Sequence, residues 1–268
     1  LPQIRKQLKN KIADLAGVNN TFTIIWFSGR NQCGIIKEAV DGALSQTYSP
    51  LEIIISDDCS TDSTFDIIKE CVKDYVGPHK IILNRNEKNL GLVPHVNLVF
   101  ENFARGEYFA LAGGDDISLP ERIYKCSDLI LHNQDLMAIT VNFITINEDG
   151  KEIKGKYYQN EKKYLLNKNY FKTIELGVEG GGLFIKKEVF HIFGPFNNTC
   201  PTEDSTFRFR ALLLGNIILC DQSLLFYRRH RNNLTSNLYS LKTKEIAKQY
   251  FIDLKKANNF KIISKRIY

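Results

Sequence analysis

Ala112-Gly113-Gly114-Asp115-Asp116-Ile117-Ser118-Leu119-Pro120 sets two adjacent carboxylates directly after a hydrophobic run, Glu107-Tyr108-Phe109-Ala110-Leu111-Ala112. The run reads as a buried strand, and the Leu-Pro step beyond the acids leads into a helix-like pattern. In open α/β sheets, ligands bind in the crevice beyond the carboxyl ends of the strands. Two carboxylates this close repel unless a divalent cation or a hydrogen-bond network compensates them. Gly-Gly-Asp-Asp is equally good turn chemistry. On this stretch alone, a surface turn and a cation site are both open.

Working outward, Thr21–Phe27, Leu51–Ser56 and Lys80–Leu83 are further apolar runs of strand length. Between them, apolar residues recur at helical spacing: Ile36, Val40 and Leu44, then Phe65, Ile68 and Val72, then Val96, Val99 and Phe103. Ser49-Pro50 ends the first helix, and Ser60 or Thr61 can cap the second. The result is β-α-β-α-β-α-β, the pattern of a parallel sheet covered by helices. Beyond residue 134 the rhythm changes. Leu136–Ile146 reads as a strand, Asn147-Glu148-Asp149-Gly150 as a turn, and 151–164 as a polar loop or hairpin. Gly180-Gly181-Gly182 leads into a strand at Leu183–Ile185. Asp204–Leu214 reads as a helix, Asn216–Cys220 and Leu224–Tyr227 as two strands, and 238–258 as a helix.

The 268 residues suffice for one large α/β domain or two small ones, and 43% hydrophobic with 25% charged residues is ordinary for a globular protein. No stretch approaches the roughly 18 consecutive apolar residues of a membrane span. The start, Leu1-Pro2-Gln3-Ile4-Arg5-Lys6, lacks both a signal-peptide core and an initiator Met, so the chain can be a piece of a longer protein. Six cysteines at irregular spacing, without a Cys-x-x-Cys pair, point to small buried thiols in the cytoplasm rather than zinc or disulfides. The net charge of +6 is concentrated near the two ends. It suits an anionic ligand, peripheral contact with a membrane surface, or plain solvated helix faces. Nucleic acid is not indicated, because no basic stripe is interleaved with aromatics.

Two more acidic clusters matter. Asp57-Asp58-Cys59-Ser60-Thr61-Asp62 follows the second strand. A carboxylate there can accept from a pyrimidine N–H or a ribose hydroxyl. Helix capping explains Ser60 or Asp62, but does not require Asp57 and Asp58. Thr202-Glu203-Asp204-Ser205 opens the later helix. Acids there are favoured by the helix dipole, and one reaching a cleft can equally be a general base.

In this order and spacing, these clusters resemble the family 2 glycosyltransferases of the GT-A fold, from about Phe22 to Thr235. The resemblance rests on seven pieces: Gln46-Thr47-Tyr48; Asp57-Asp58-Cys59-Ser60-Thr61-Asp62; Asn89-Leu90-Gly91; Gly106-Glu107-Tyr108 running to Asp115-Asp116; Gly180-Gly181-Gly182; Glu203-Asp204; and Tyr227-Arg228-Arg229-His230. It implies a Rossmann-like, mixed but mostly parallel sheet flanked by helices. Residues 21–118 would form a nucleotide-sugar-binding half and 119–235 an acceptor-binding half. A helical extension at 1–20 and a helical tail at 236–268 would flank them.

The resemblance also implies roles. Ser28 and Arg30 lie by the nucleotide, Asp58 contacts the base with Asp57 beside it, and Asp115 takes the ribose or diphosphate side. Asp116 binds Mg2+ or Mn2+. Asp204 is the catalytic base, and Arg228 and His230 sit near the diphosphate or close the site. Gly181, Gly182 and Glu203 belong to the acceptor side. The reaction is then inverting transfer from a nucleotide-diphospho-sugar, a UDP-sugar favoured, to a glycan or lipid-linked acceptor in bacterial surface polysaccharide synthesis. The chain departs from the family in three places: Gly113 replaces the first acid of Asp-x-Asp-Asp, Arg30 an aromatic, and Val96 an arginine. A catalytically weak nucleotide-sugar-binding relative remains open because of Gly113. A sugar nucleotidyltransferase is disfavoured by the single glycine of Ser28-Gly29-Arg30-Asn31. A processive, membrane-spanning enzyme is excluded: Trp26 is the sole tryptophan, so no Gln-x-x-Arg-Trp motif exists.

Overall fold

The computed structural model describes residues 22–28, 31–133, 135–153, 164–166, 182–198, 200, 202–231, 233 and 243–259. The expectations for 1–20, Arg30, Gly180 and Gly181 lie outside these residues, as does most of the 151–164 segment.

In chain order the elements are β1 (Phe22–Ser28), α1 (Ile36–Leu44), β2 (Leu51–Asp57), α2 (Thr64–Val72), β3 (Lys80–Arg85), α3 (Leu92–Asn102), β4 (Tyr108–Gly113) and β5 (Ile117–Ser118). They continue as α4 (Arg122–Leu131), β6 (Leu136–Ile146), β7 (Tyr164–Leu166), β8 (Leu183–Lys186), α5 (Glu188–His191), α6 (Glu203–Leu214), β9 (Asn216–Arg228) and α7 (Thr243–Asn259). Among the described residues, one sheet holds the strands in the order β3-β2-β1-β4-β8-β6-β9-β5, with β7 added on β9. β1 pairs in parallel with β2 and β4, and β2 with β3. β8 enters antiparallel between β4 and β6, while β6 and β9 are parallel. The sheet is thus mixed but parallel where the sequence pattern was most regular.

Ile53, Ile54 and Ile55 of β2 are completely buried, because helices cover both faces. Successive side chains point to opposite faces. Ile53 and Ile55 therefore pack with Ile36 and Val40 of α1, Ile68 of α2 and Ile123 of α4. Ile54 joins Val96 and Phe100 of α3, Phe190 of α5 and Phe207 of α6 on the other face. There the Phe100 ring lies 4.6 Å from Phe190, 5.0 Å from Phe109 and 5.2 Å from Phe207. Val96 is core, so the position of the family's arginine has become packing.

β9 corrects the expectation of two strands. It is one strand of 13 residues, and its register against β6 jumps from Val141↔Cys220 to Asn142↔Ser223. Asp221 and Gln222 are extra residues in a bulge, which looks like a turn in sequence but does not stop the pairing. The cysteines are also mixed: Cys126, Cys200 and Cys220 are buried thiols, whereas Cys33 is exposed.

The C-terminal helix α7 is fastened to α6. Arg210 donates from Nε to Asp253 Oδ2 (2.9 Å) and from Nη2 to Oδ1 (3.1 Å), and both side chains are fully buried. Its Nη1 donates to the Gly194 carbonyl (2.7 Å), and the guanidinium lies 4.2 Å from the Phe196 ring.

Candidate active site

Strand order reverses at β1, with β2 on one side and β4 on the other, the arrangement that opens a ligand crevice at the strands' carboxyl ends. Register places the three ends together: Ser28 is level with Asp57, and Phe27 with Gly113.

At the end of β2, two adjacent aspartates face different partners. Asp57 is completely buried; its Oδ1 accepts from Ser60 Oγ (2.6 Å) and its Oδ2 from Ser60 N–H (2.9 Å). Asp58 turns the other way. Its Oδ1 accepts from Asn86 Nδ2 (2.8 Å) and Leu90 N–H (2.9 Å), and its Oδ2 from Gly91 N–H (2.8 Å). Between them and Ser60, Cys59 takes a positive φ of 59°, which non-glycine residues adopt at a cost. The N-cap position of α2 is Ser63, not Ser60 or Thr61, and makes no side-chain cap bond; Asp62 Oδ1, one residue earlier, accepts from Thr64 N–H (3.0 Å). Asn31, in the β1–α1 connection, ties to this loop by donating its N–H to Ser60 Oγ (3.1 Å) and accepting from Thr61 N–H (2.9 Å).

The acid loop after β4 is held from below. Arg228, at the end of β9, is fully buried. Its N–H donates to Asp116 Oδ1 (3.0 Å) and its Nε to the Asp115 carbonyl (3.1 Å). Nη1 donates to the Glu148 carbonyl (2.9 Å), and Nη2 to Glu38 Oε2 (2.6 Å). The guanidinium therefore knits α1, the 147–150 turn and the acid loop, and exposes no surface to a ligand. Asp116 is buried, while the half-exposed Asp115 pairs through Oδ2 with His230 Nε2 (3.0 Å) and Asn233 Nδ2 (3.2 Å). A Cβ at Gly113 would stand 2.5 Å from Asp115 Oδ1 and 3.4 Å from Asp116 Oδ2. Asp115 thus fills the space beside the strand where a side chain at 113 would begin.

Two residues brace the loop, of which Gln46 belongs to the Gln46-Thr47-Tyr48 motif and Arg122 carries no signal of its own in sequence. Arg122 of α4 is completely buried and donates to Ser118 Oγ (2.8 Å) and the Leu111 carbonyl (2.7 Å); burial pulls its pKa down. Gln46 donates to the Leu119 carbonyl (2.9 Å) and accepts from Ile123 N–H (3.1 Å). Together they fix both ends of the segment that carries Asp115 and Asp116.

Glu203 and Asp204 open α6, which ends at Leu214, two residues before β9 begins. The start of β9 pairs with the start of β6, so α6 runs back across the sheet and its N-terminus points toward the edge that carries the acid loop. Twelve residues span about 18 Å, enough to cross the strands. Asp204 accepts from Ser205 N–H (2.6 Å) and from Arg208 Nη2 (3.1 Å). Burial pushes the Glu203 carboxyl up to about 7, and the neighbouring Asp204 charge adds to this. The sequence-derived residues therefore form three separate groups: Asp57 with Asp58 at the end of β2, Asp115 and Asp116 with Arg228 and His230 after β4, and Glu203 with Asp204 at the start of α6. Gly182, whose Cβ would stand 3.1 Å from the Val141 carbonyl, marks a close approach of β8 to β6. Ser28 lies at the end of β1.

Among the described residues, no three His, Cys, Asp or Glu side chains converge as a cation cage. The hard oxygen donors of Asp115 and Asp116 nonetheless fit magnesium or manganese, which accept one or two carboxylates and complete their shell with phosphate oxygens and water.

The family model described as "Glycosyl transferase family 2" matches residues 30–193. An uncharacterized glycosyltransferase of Haemophilus influenzae is 28% identical over 221 residues, which cover 80% of this chain and 67% of the relative. Across the curated relatives, the matched part runs from 13% to 76% of their length. Among solved structures, S. aureus TarS 1–349 in complex with UDP-GlcNAc superposes with a TM-score of 0.67 at 15% identity, covering 91% of this chain and 71% of that one. GalNAc-T7 with UDP, GalNAc and Mn2+ gives 0.61 at 14% identity, covering 80% and 45%.

Proposed function

Since the chain belongs to glycosyltransferase family 2 and has the GT-A fold, we propose that it transfers a sugar from a UDP-sugar to a hydroxyl of a glycan or lipid-linked acceptor, with inversion. What supports this reading is the pair of acidic groups, Asp57-Asp58 and Asp115-Asp116, at the carboxyl ends of β2 and β4 on either side of the point where strand order reverses. TarS and GalNAc-T7 were solved with UDP-containing ligands, which supports uridine as the nucleotide. No helix among the described residues is long and apolar enough to cross a membrane.

Asp58 receives the base at the end of β2. The acid loop receives the diphosphate, with Asp116 and Asp115 as the residues that would hold Mg2+ or Mn2+. When bound, the cation supplies positive charge against the diphosphate oxygens. Asp204 takes the proton from the acceptor hydroxyl as that oxygen attacks the anomeric carbon. The new C–O bond forms on the face opposite the diphosphate, whose bond to the sugar breaks with its electron pair. Proton removal by a placed carboxylate contributes typically ~10²–10⁴-fold. Arg228 keeps the acid loop in place, and Glu203 faces the acceptor side.

The test is UDP release from UDP-GlcNAc, UDP-glucose and UDP-galactose with Mn2+, using wild type and Asp204→Asn. The variant is expected to lose turnover and keep UDP affinity. Normal turnover by the variant would remove Asp204 from the mechanism. UDP binding without turnover of any donor would favour the second reading, a nucleotide-sugar-binding relative, to which Gly113 lends support.

A further inference from the structure

We propose that Asn86 is a positioning residue for nucleotide discrimination: it ends a buried hydrogen-bond chain, His95–Ser56–Asn84–Asn86, that aims the Asp58 carboxylate and leaves it one open acceptor position. The inference rests on the reading above that Asp58 meets the base.

The chain lies under the β2 edge, where none of its members was singled out by sequence. Ser56 is completely buried, and His95 and Asn86 nearly so. Ser56 Oγ is 2.6 Å from His95 Nε2. Asn84 Nδ2 donates to Ser56 Oγ (2.8 Å) and to Asn86 Oδ1 (3.0 Å). With its carbonyl oxygen taken by Asn84, the Asn86 amide must present its NH2 to Asp58, at 2.8 Å. Burial lowers the His95 pKa, against the pull of Asp58 and Asp57, which favours a neutral ring and a chain without a buried cation.

A carboxylate offers about four acceptor positions. On Asp58, Oδ1 already accepts from Asn86 and Leu90, and Oδ2 from Gly91. The remaining position is on Oδ2. It matches a base that presents a ring N–H, as uracil does, and repels one that presents a ring-nitrogen lone pair, as cytosine does. Without Asn86, Oδ1 regains an acceptor position and the carboxylate is held only by the Leu90 and Gly91 N–H groups, a looser aim. Uridine then loses a fixed partner, and water can bridge to cytidine.

The experiment is calorimetric titration of UDP and CDP, in Mn2+, into wild type, Asn86→Ala and Ser56→Ala, with a melting curve for each. Wild type is expected to prefer UDP. Asn86→Ala should bind UDP about tenfold more weakly, with a UDP/CDP ratio contracted at least as much, the scale of one lost hydrogen bond to a charged group. Ser56→Ala, one link further back, should contract the ratio less, and it decides the matter if Asn86→Ala does not fold. In turnover, KM for the UDP-sugar rises while kcat holds. A wild type that discriminates, with variants that keep its ratio and lose only melting temperature, overturns the inference and leaves the function standing. A wild type that binds neither nucleotide overturns both.

Discussion

Restoring an acid at position 113 should damage the acid loop before it helps. A Cβ on residue 113 would stand 2.5 Å from Asp115 Oδ1, inside any real contact distance, so Gly113→Ala forces the Asp115 carboxylate aside. That carboxylate is held at 3.0 Å by His230 and 3.2 Å by Asn233. Hydrogen bonds to a charged acceptor contribute ~1.5–3 kcal/mol each, and partial loss of both costs about 2 kcal/mol. For a chain of this size ~2 kcal/mol lowers the melting temperature by roughly 4–8 °C. Gly113→Asp carries the same clash and adds a third carboxylate on a Cβ that stands 3.4 Å from Asp116 Oδ2, so its melting point should fall further. Mn2+ should return more of that loss to Gly113→Asp than it gives wild type, because the added carboxylate is a further oxygen donor. Thermal melts with and without MnCl2 read both effects. If Gly113→Ala melts within about 1 °C of wild type, Asp115 is not packed against residue 113 as described.

Glu203 sets a second expectation. Its carboxyl titrates near 7 in the fold against an ordinary 4.5, so the folded state favours the protonated form, and stability is lost as pH rises from 4.5 through 7. Glu203→Gln should match wild type at pH 4.5 and exceed it at pH 8 by on the order of 2 kcal/mol, allowing for solvent at its half-buried side chain; equal melting differences at the two pH values would contradict this. At the α6–α7 contact, Asp253→Asn leaves the Arg210 guanidinium buried without its counter-charge, at a cost of ~3–5 kcal/mol by urea unfolding. Arg210→Met with Asp253→Leu should recover most of that loss, and a double variant as unstable as the single one would refute the pairing.

The parallel half was legible because its strands are continuous apolar runs and its helices keep a 3.6-residue period, so each local signal agreed with the architecture. β5 has two residues and no pattern, and exists only because Ile117 and Ser118 meet Phe226 and Leu225. β9 looked broken because Asp221 and Gln222 mimic a turn. The acidic clusters could be read, since adjacent carboxylates after a strand are unusual. Their supports could not: Arg228 reaches Glu38 across 190 positions and Asp115 across 113. Resemblance put Arg228 near the diphosphate or closing the site; its burial and its bonds to the Asp115 and Glu148 carbonyls and Glu38 make it a brace for the loop. Asn86, Asn84, Ser56 and His95 are separated by up to 39 positions, and only strand pairing and the packing of α3 bring them into line.

The Arg210–Asp253 pair joins residues 43 positions apart. Arg210 is therefore synthesised well before the carboxylate that neutralises it. Until α7 is made, the Arg210 cation of α6 has the Phe196 ring and the Gly194 carbonyl as neighbours but no counter-ion. A chain without α7 would keep every acidic cluster and leave the buried Arg210 of α6 without its counter-charge. Such chains are poised for chaperone capture and proteolysis.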